Sequence, residues 1–189
     1  MLCLRVNSYL DYVTVLYSCR KDKRGHKSLQ EHNDALLRIR KTADYQFGKG
    51  IGEVLFPDSV TISFSKQTRR IRHVFFGGNL LATLRPTDGM FSLTIHGAKR
   101  LANVTPLQQY VKVSSDVASF IAKGRSVFAK HIVDADDEIR PREEVIVLDE
   151  KSEVLAVGRA VLTGKEMKAF KRGVAVRVRR GAGEEEGES

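Results

Sequence analysis

The stretch from Lys123 to Gly181 constrains the fold more than any other part of the chain. Ahead of it, Val111 to Val113 reads as a strand, and Ser114 or Ser115 can cap a helix with Val117, Phe120 and Ile121 facing inward. That helix ends at Gly124, and KGRSVFAKHIVDAD (Lys123 to Asp136) leads through a basic, hydroxyl-bearing turn into a strand over Val127 to Val133. Strands at Val145 to Leu148 and Val154 to Val161 follow. A capping box, Thr163-Gly-Lys-Glu166, then opens a helix with Met167 and Phe170 on its buried side. The last strand, VAVRVRRG, puts Val174, Val176 and Val178 on one face and Arg177 and Arg179 on the other.

The upstream half has its own logic. A helix begins at the capping box Ser28-Leu-Gln-Glu31, carries Leu29, Leu36, Ile39, Ala43 and Phe47 along one face, and stops at Gly48. From Val60 the period falls to two. Val60, Ile62 and Phe64 alternate with polar residues, and Ile71 to Phe76 and Leu80 to Leu84 flank the turn Gly77-Gly78-Asn79. A strand over Met90 to Ile95 and a short helix closing at Leu101 lead to Thr105-Pro106, the best linker. Tyr12 to Tyr17 reads as a further strand near the start. The boundary falls near 108, giving domains at 1–108 and 109–181 and a disordered acidic tail at 182–189.

Charge narrows the partners. The chain of 189 residues has a net charge of +9, unevenly placed. Residues 1–109 hold 17 Lys/Arg against 8 Asp/Glu, residues 110–181 hold 15 against 11, and the last eight hold four Glu and no base. A basic body with an acidic tail favours polyanions, since neutralised phosphates release condensed counterions. Cys3 and Cys19 are too few for a zinc site or disulfide framework and suit a reducing cytosol. The mildly apolar start lacks a basic leader and is interrupted by Asp11, so no signal peptide is expected, and no run approaches a membrane span. A cytoplasmic protein is the expectation.

The order strand, helix, glycine turn, strands, helix, basic strand resembles the PUA domain, the small RNA-binding barrel of pseudouridine synthases and archaeosine transglycosylases. Val157-Gly158-Arg159 also matches that family's Ala-Val-Gly pattern in the middle strands. The resemblance implies α+β architecture, an N-terminal mixed α/β module followed by a PUA-type β pseudo-barrel. It also implies an RNA-binding face of Gly124 with Lys123, Arg125 and Ser126, of Lys130 and His131 on the second strand, and of Arg177, Arg179 and Arg180 on the last.

Upstream, ADYQFGKGIGEVLFPD (Ala43 to Asp58), RRIRHV (Arg69 to Val74) and LLATLRPTDGMFSLTIHGAKRL (Leu80 to Leu101) are similar to the module that precedes PUA in archaeal tRNA-guanine transglycosylase. That implies tRNA as the RNA. The enzyme's catalytic barrel, active-site aspartates and zinc cysteines have no counterpart, and such a barrel needs at least about 200 residues. No catalytic residue and no cofactor is expected. A separate tRNA-modification enzyme is the implied protein partner, and oligomeric state is left open.

Other motifs have blander readings. Gly48-Lys-Gly-Ile-Gly52 follows a helix and lacks phosphate-loop spacing, so it reads as a corner. Lys66, Arg69, Arg70, Arg72 and Arg85 lie in a stretch without one acid and are additional candidates for RNA contact, the alternative being a charged, guarded strand edge. The basic loop Arg20 to Lys27 stays open between contact and solvation. The five histidines show no metal spacing, and Asp134, Asp136, Asp137 and Glu138 read as a solvated turn. Tyr45 and Phe47 are aromatics suited to base stacking, although an aromatic beside a helix stripe usually packs inward. A ribosome-assembly or translation factor, an RNA-modifying enzyme with an unrecognised site, and a protein-interaction adaptor remain alternatives.

Overall fold

The computed structural model describes residues 27–185, with side chains placed from Glu31 to Gly183. The strand expected at Tyr12 to Tyr17, the Arg20 to Lys27 cluster and the Ser28 side chain of the first capping box lie outside the described residues.

Helix α1 (Lys27–Phe47) buries Ala35, Leu36, Ile39, Ala43 and Phe47, the stripe expected from its period. It stops where Gly48 N–H donates back to the Asp44 carbonyl at 3.1 Å. The glycine corner that follows is filled from within. Asp44 Oδ1 accepts hydrogen bonds from the N–H of Gly50 at 3.0 Å and of Gly52 at 2.8 Å, so a carboxylate holds the groups a phosphate loop would offer. Helix α2 (Ile51–Leu55) then leads into a four-stranded antiparallel sheet, β1 (Thr61–Phe64), β2 (Ile71–Phe76), β3 (Asn79–Leu84) and β4 (Phe91–Leu93), in sequence order. Helix α3 (Ile95–Ala102) closes the module, its N-terminus capped by Thr94 Oγ1, which accepts from Gly97 N–H at 3.2 Å.

The second half is a six-stranded sheet in the order β6-β10-β9-β8-β5-β7, curling into a nearly closed barrel. Its strands are β5 (Tyr110–Val113), β6 (Val127–Phe128), β7 (Ile132–Ala135), β8 (Glu144–Leu148), β9 (Val154–Ala160) and β10 (Val174–Gly181). Between them lie α4 (Ala118–Ala122) and α5 (Gly164–Ala169), the latter opened by the expected capping box. Glu166 N–H donates to Thr163 Oγ1 at 3.2 Å, and Thr163 N–H to Glu166 Oε2 at 2.9 Å.

Three expectations need correction. The strand placed at Val127 to Val133 is broken by a tight helical turn at Ala129–His131, because Ala129 turns inward and its N–H donates to the Gly173 carbonyl at 3.0 Å. Lys130 and His131 therefore sit on that turn rather than on a strand. Phe120 and Phe170 face outward, 61% and 46% exposed: α4 buries Ile121 alone, and α5 buries Gly164 and Met167 and ends before Phe170. Finally, the stretch expected to be disordered from residue 182 begins with a helical turn, α6 (Ala182–Glu185), whose start packs beside the end of α4.

The two halves share an apolar core. All five residues of β8 are buried, with Val145 and Val147 inside the barrel and Ile146 and Leu148 in the cluster built by α1, β3, β4 and α3. Burying each of those two side chains stabilises the join by roughly 2 kcal/mol. The join is therefore a packed interface rather than a linker.

Candidate nucleic-acid interface

The glycine turn after α4 is fixed by its own backbone hydrogen bonds and by close contact with the end of β10. Lys123 ends the helix, and Gly124 takes the left-handed conformation at φ 81°, which a side chain would strain. Gly124 N–H donates to the Ile121 carbonyl at 2.9 Å and Arg125 N–H to the Phe120 carbonyl at 3.2 Å, so the helix end is satisfied internally. The end of β10 lies directly alongside. A Cβ at Gly181 would stand 2.6 Å from Gly124 N and would collide with the Ala122 carbonyl, so only glycine lets the two segments meet.

Strand pairing then fixes which cations gather. Val127 pairs Val176 and Phe128 pairs Val174, so residues 123–126 run antiparallel beside residues 177–181. Lys123, Arg125, Arg177 and Arg180 are exposed there and have no ion-pair partner among the described residues. Ser126 is half-buried between them. Beside this basic band, Arg159 on β9 pairs directly opposite Arg177, with the acidic Glu144 of β8 on its other side. The sequence reading missed Arg159, because its place appears only once the register of β9 is known. Phe120 and Phe128 (46% exposed) flank the turn as open aromatic surfaces.

Arg179 does not join that band. The register of β10 against β9 shifts between Val178 and Arg180, leaving Arg179 as the extra residue of a bulge. Its guanidinium turns to the module, donating to the Leu93 carbonyl at 2.8 Å and to the Glu144 carboxylate. Arg85 is likewise committed. It donates from Nε to Asp88 at 3.0 Å, and its Nη1 stands 3.6 Å from Glu144 Oε2. Burial pushes the Glu144 carboxyl above the usual carboxylate range, and the positive charge of Arg179 opposes that rise.

The remaining candidates are scattered. Lys130 and His131 lie at the other end of β6, where the His131 carbonyl accepts from Ser114 N–H at 3.0 Å. Lys66, Arg69, Arg70 and Arg72 crowd the β1–β2 hairpin, all exposed. Ser65 N–H donates to the Arg70 carbonyl at 2.8 Å, and Arg69 turns through φ 56°. This cluster lies on the far edge of the four-stranded sheet, about 14 Å from β4 at the usual strand spacing. It forms a second basic surface separate from the glycine turn.

Comparison with known proteins agrees with this geometry. Residues 37–108 match the patch-forming domain C2 of tRNA-guanine transglycosylase, and residues 109–182 match the PUA domain. The chain carries a PUA domain. It is 44% identical over 149 residues to the tRNA-guanine(15) transglycosylase of Methanothermobacter thermautotrophicus and 48% identical over 148 residues to that of Thermoplasma volcanium. Those matches cover 78% and 77% of this chain but only 23% of each relative, the part that resembles their C-terminal region. Among solved structures, a hypothetical protein of Pyrococcus horikoshii superposes with a TM-score of 0.65 at 24% identity, covering 79% of this chain and 90% of that one. A conserved PUA-domain protein of Thermoplasma acidophilum does so with a TM-score of 0.59, also at 24% identity, over 80% and 91%. These likenesses establish the fold of the PUA-domain protein, and its kinship with the archaeal transglycosylases supports RNA binding. No helix among the described residues is long and apolar enough to cross a membrane.

Proposed function

We propose that this PUA-domain protein is a non-catalytic, cytoplasmic tRNA-binding module that serves a separate tRNA-modification enzyme. One observation carries the reading. Four exposed cations without ion pairs among the described residues, Lys123, Arg125, Arg177 and Arg180, lie on the two antiparallel segments that meet at Gly124. Phosphates of an RNA strand would lie on those cations, Ser126 would donate to a phosphate or ribose hydroxyl, and unpaired bases would stack on Phe120 and Phe128. The hairpin cations Lys66, Arg69, Arg70 and Arg72 would take a more distant part of the same RNA, as a shape-reading protein with two basic surfaces can.

The choice of tRNA rests on kinship: the stretch shared with the transglycosylases is the one that carries C2 and PUA. The test combines affinity and consequence. Purified protein binds tRNA more tightly than rRNA fragments of equal length, co-purifies with a base-modifying enzyme, and its deletion changes the modified nucleosides of bulk tRNA. Preference for rRNA would replace this reading with a ribosome-assembly or translation factor. A mass change in RNA incubated with the protein alone would make it an enzyme.

A further inference from the structure

A cleft of about 650 Å³ opens where the module meets the barrel, away from the glycine turn. Its lining is chemically mixed. Among the described residues, only four buried side-chain polar atoms find no hydrogen-bond partner, and three of them belong to residues of this cleft: Arg85 Nη1, Gln109 Oε1 and Glu144 Oε2. Buried polar groups are normally satisfied, and an exception calls for a missing partner. Arg85 Nη1 and Glu144 Oε2 form an ion pair at 3.6 Å, too long for a hydrogen bond, so a donor and two acceptors keep unused hydrogen-bonding capacity.

The rim adds two further features. Tyr45, on the outer side of α1, lines the cleft while 79% exposed, and no hydrogen bond or ring contact engages it among the described residues. Opposite it on the loop before β8, Arg140 and Arg142 are exposed and form no ion pair among the described residues. A stacking face, adjacent donor and acceptor groups, and two cations set among the carboxylates of Asp88, Asp136, Glu138 and Glu143 together match one chemical class. A nucleobase has an aromatic face and an edge on which donors and acceptors alternate, and its nucleotide carries a phosphate.

We propose that this cleft receives one unpaired nucleotide of the bound RNA. The base lies against the Tyr45 ring, its edge meets the unpartnered atoms of Arg85, Gln109 and Glu144, and its phosphate rests on Arg140 or Arg142. The proposal builds on the RNA reading but places a second recognition point at the junction of module and barrel. A single-stranded segment or a bulge fits it, since only an unstacked base can enter.

The test has two arms. In the first, ultraviolet cross-linking of tRNA to the protein is mapped by mass spectrometry, and binding is compared among wild type, Tyr45→Ala and Tyr45→Phe. The expected results are a cross-linked peptide containing Tyr45, an affinity about 10-fold lower for Tyr45→Ala, and near-wild-type affinity for Tyr45→Phe, which keeps the stacking face. Because Tyr45 is exposed, the thermal midpoint of Tyr45→Ala should match wild type. Cross-links confined to other surfaces, with Tyr45→Ala binding like wild type, overturn the proposal. The second arm titrates the four nucleoside 5′-monophosphates into labelled protein by NMR and does not depend on tRNA binding. Saturable shifts at Gln109, Tyr45 and Arg142 support the cleft even if tRNA fails to bind. No cleft shift with any of the four removes it even if tRNA binds at Gly124.

Discussion

Glu144 on β8 accepts a hydrogen bond from Arg179 on β10, and the two side chains together clasp the backbone of one residue of the module. Leu93 N–H donates to Glu144 Oε1 at 2.9 Å, while the Leu93 carbonyl accepts from Arg179 at 2.8 Å. The Glu144 side chain is fully buried and has Arg85 of the module as its second cation. Removing one partner of a buried pair strands the other charge. Glu144→Ala is expected to cost about 3–5 kcal/mol, read as a lower denaturant midpoint. Loss of less than about 1 kcal/mol, the range of an exposed ion pair, would mean that the clasp contributes little to the join.

The glycine turn predicts a graded loss of RNA binding. Lys123→Ala and Arg125→Ala should each weaken tRNA binding and reduce the slope of log K against log salt by about 1, as expected for a single phosphate contact. Gly124→Ala should also weaken binding, because a side chain at φ 81° is strained and fills the space a phosphate would approach. A salt series on each variant checks this, with Lys151→Ala, an exposed residue after β8, as the neutral comparison.

The acidic tail predicts the opposite sign. Gly181 packs against the turn Ala122–Gly124, so the chain that continues into Glu184, Glu185, Glu186 and Glu188 leaves from the edge of the basic band. Deleting residues 184–189 raises the net charge from +9 to +13 by removing four glutamates. It should tighten tRNA binding at low salt and do so less as salt rises. Equal affinity of full-length and shortened chains at low salt would show that the tail does not reach the band.

The α5 capping box predicts a pH response. Hydrogen bonds from Thr163 hold the Glu166 carboxyl below the usual glutamate range, and Lys168 holds Asp137 below the usual aspartate range. A carboxyl depressed in the folded state adds stability above its unfolded value, and that contribution is lost as pH falls through the folded value. Thermal midpoints should therefore drop below about pH 4, near the unfolded values, and Glu166→Gln should flatten part of that drop. An identical pH profile for wild type and Glu166→Gln would contradict it.

Much of the fold was legible because local signals agreed with packing. The period of α1, the Gly77-Gly78 turn and the Thr163–Glu166 capping box each state their own geometry. What the sequence hid depends on register and on short elements. Phe120 and Phe170 read as inward because a helical period was extended over helices of five and six residues. Arg179 read as part of the RNA track because strict alternation ignores the bulge that turns it toward Leu93. Arg159 went unnoticed because its partner Arg177 is a neighbour only across strands. The double burial of β8 shows only as an unbroken apolar run, Val145 to Leu148, whose two destinations are set by the module docking on the barrel.

The most direct test of the account compares binding of total tRNA with the same tRNA trimmed of its 3′ end, across a salt series, for wild type and a Lys123→Ala, Arg125→Ala double variant. The account predicts salt-sensitive binding by wild type, a loss of affinity on trimming, and a loss in the double variant that trimming does not deepen further. Equal binding of intact and trimmed tRNA by wild type, with the double variant unaffected, would contradict it and move recognition to the hairpin surface of Lys66, Arg69, Arg70 and Arg72.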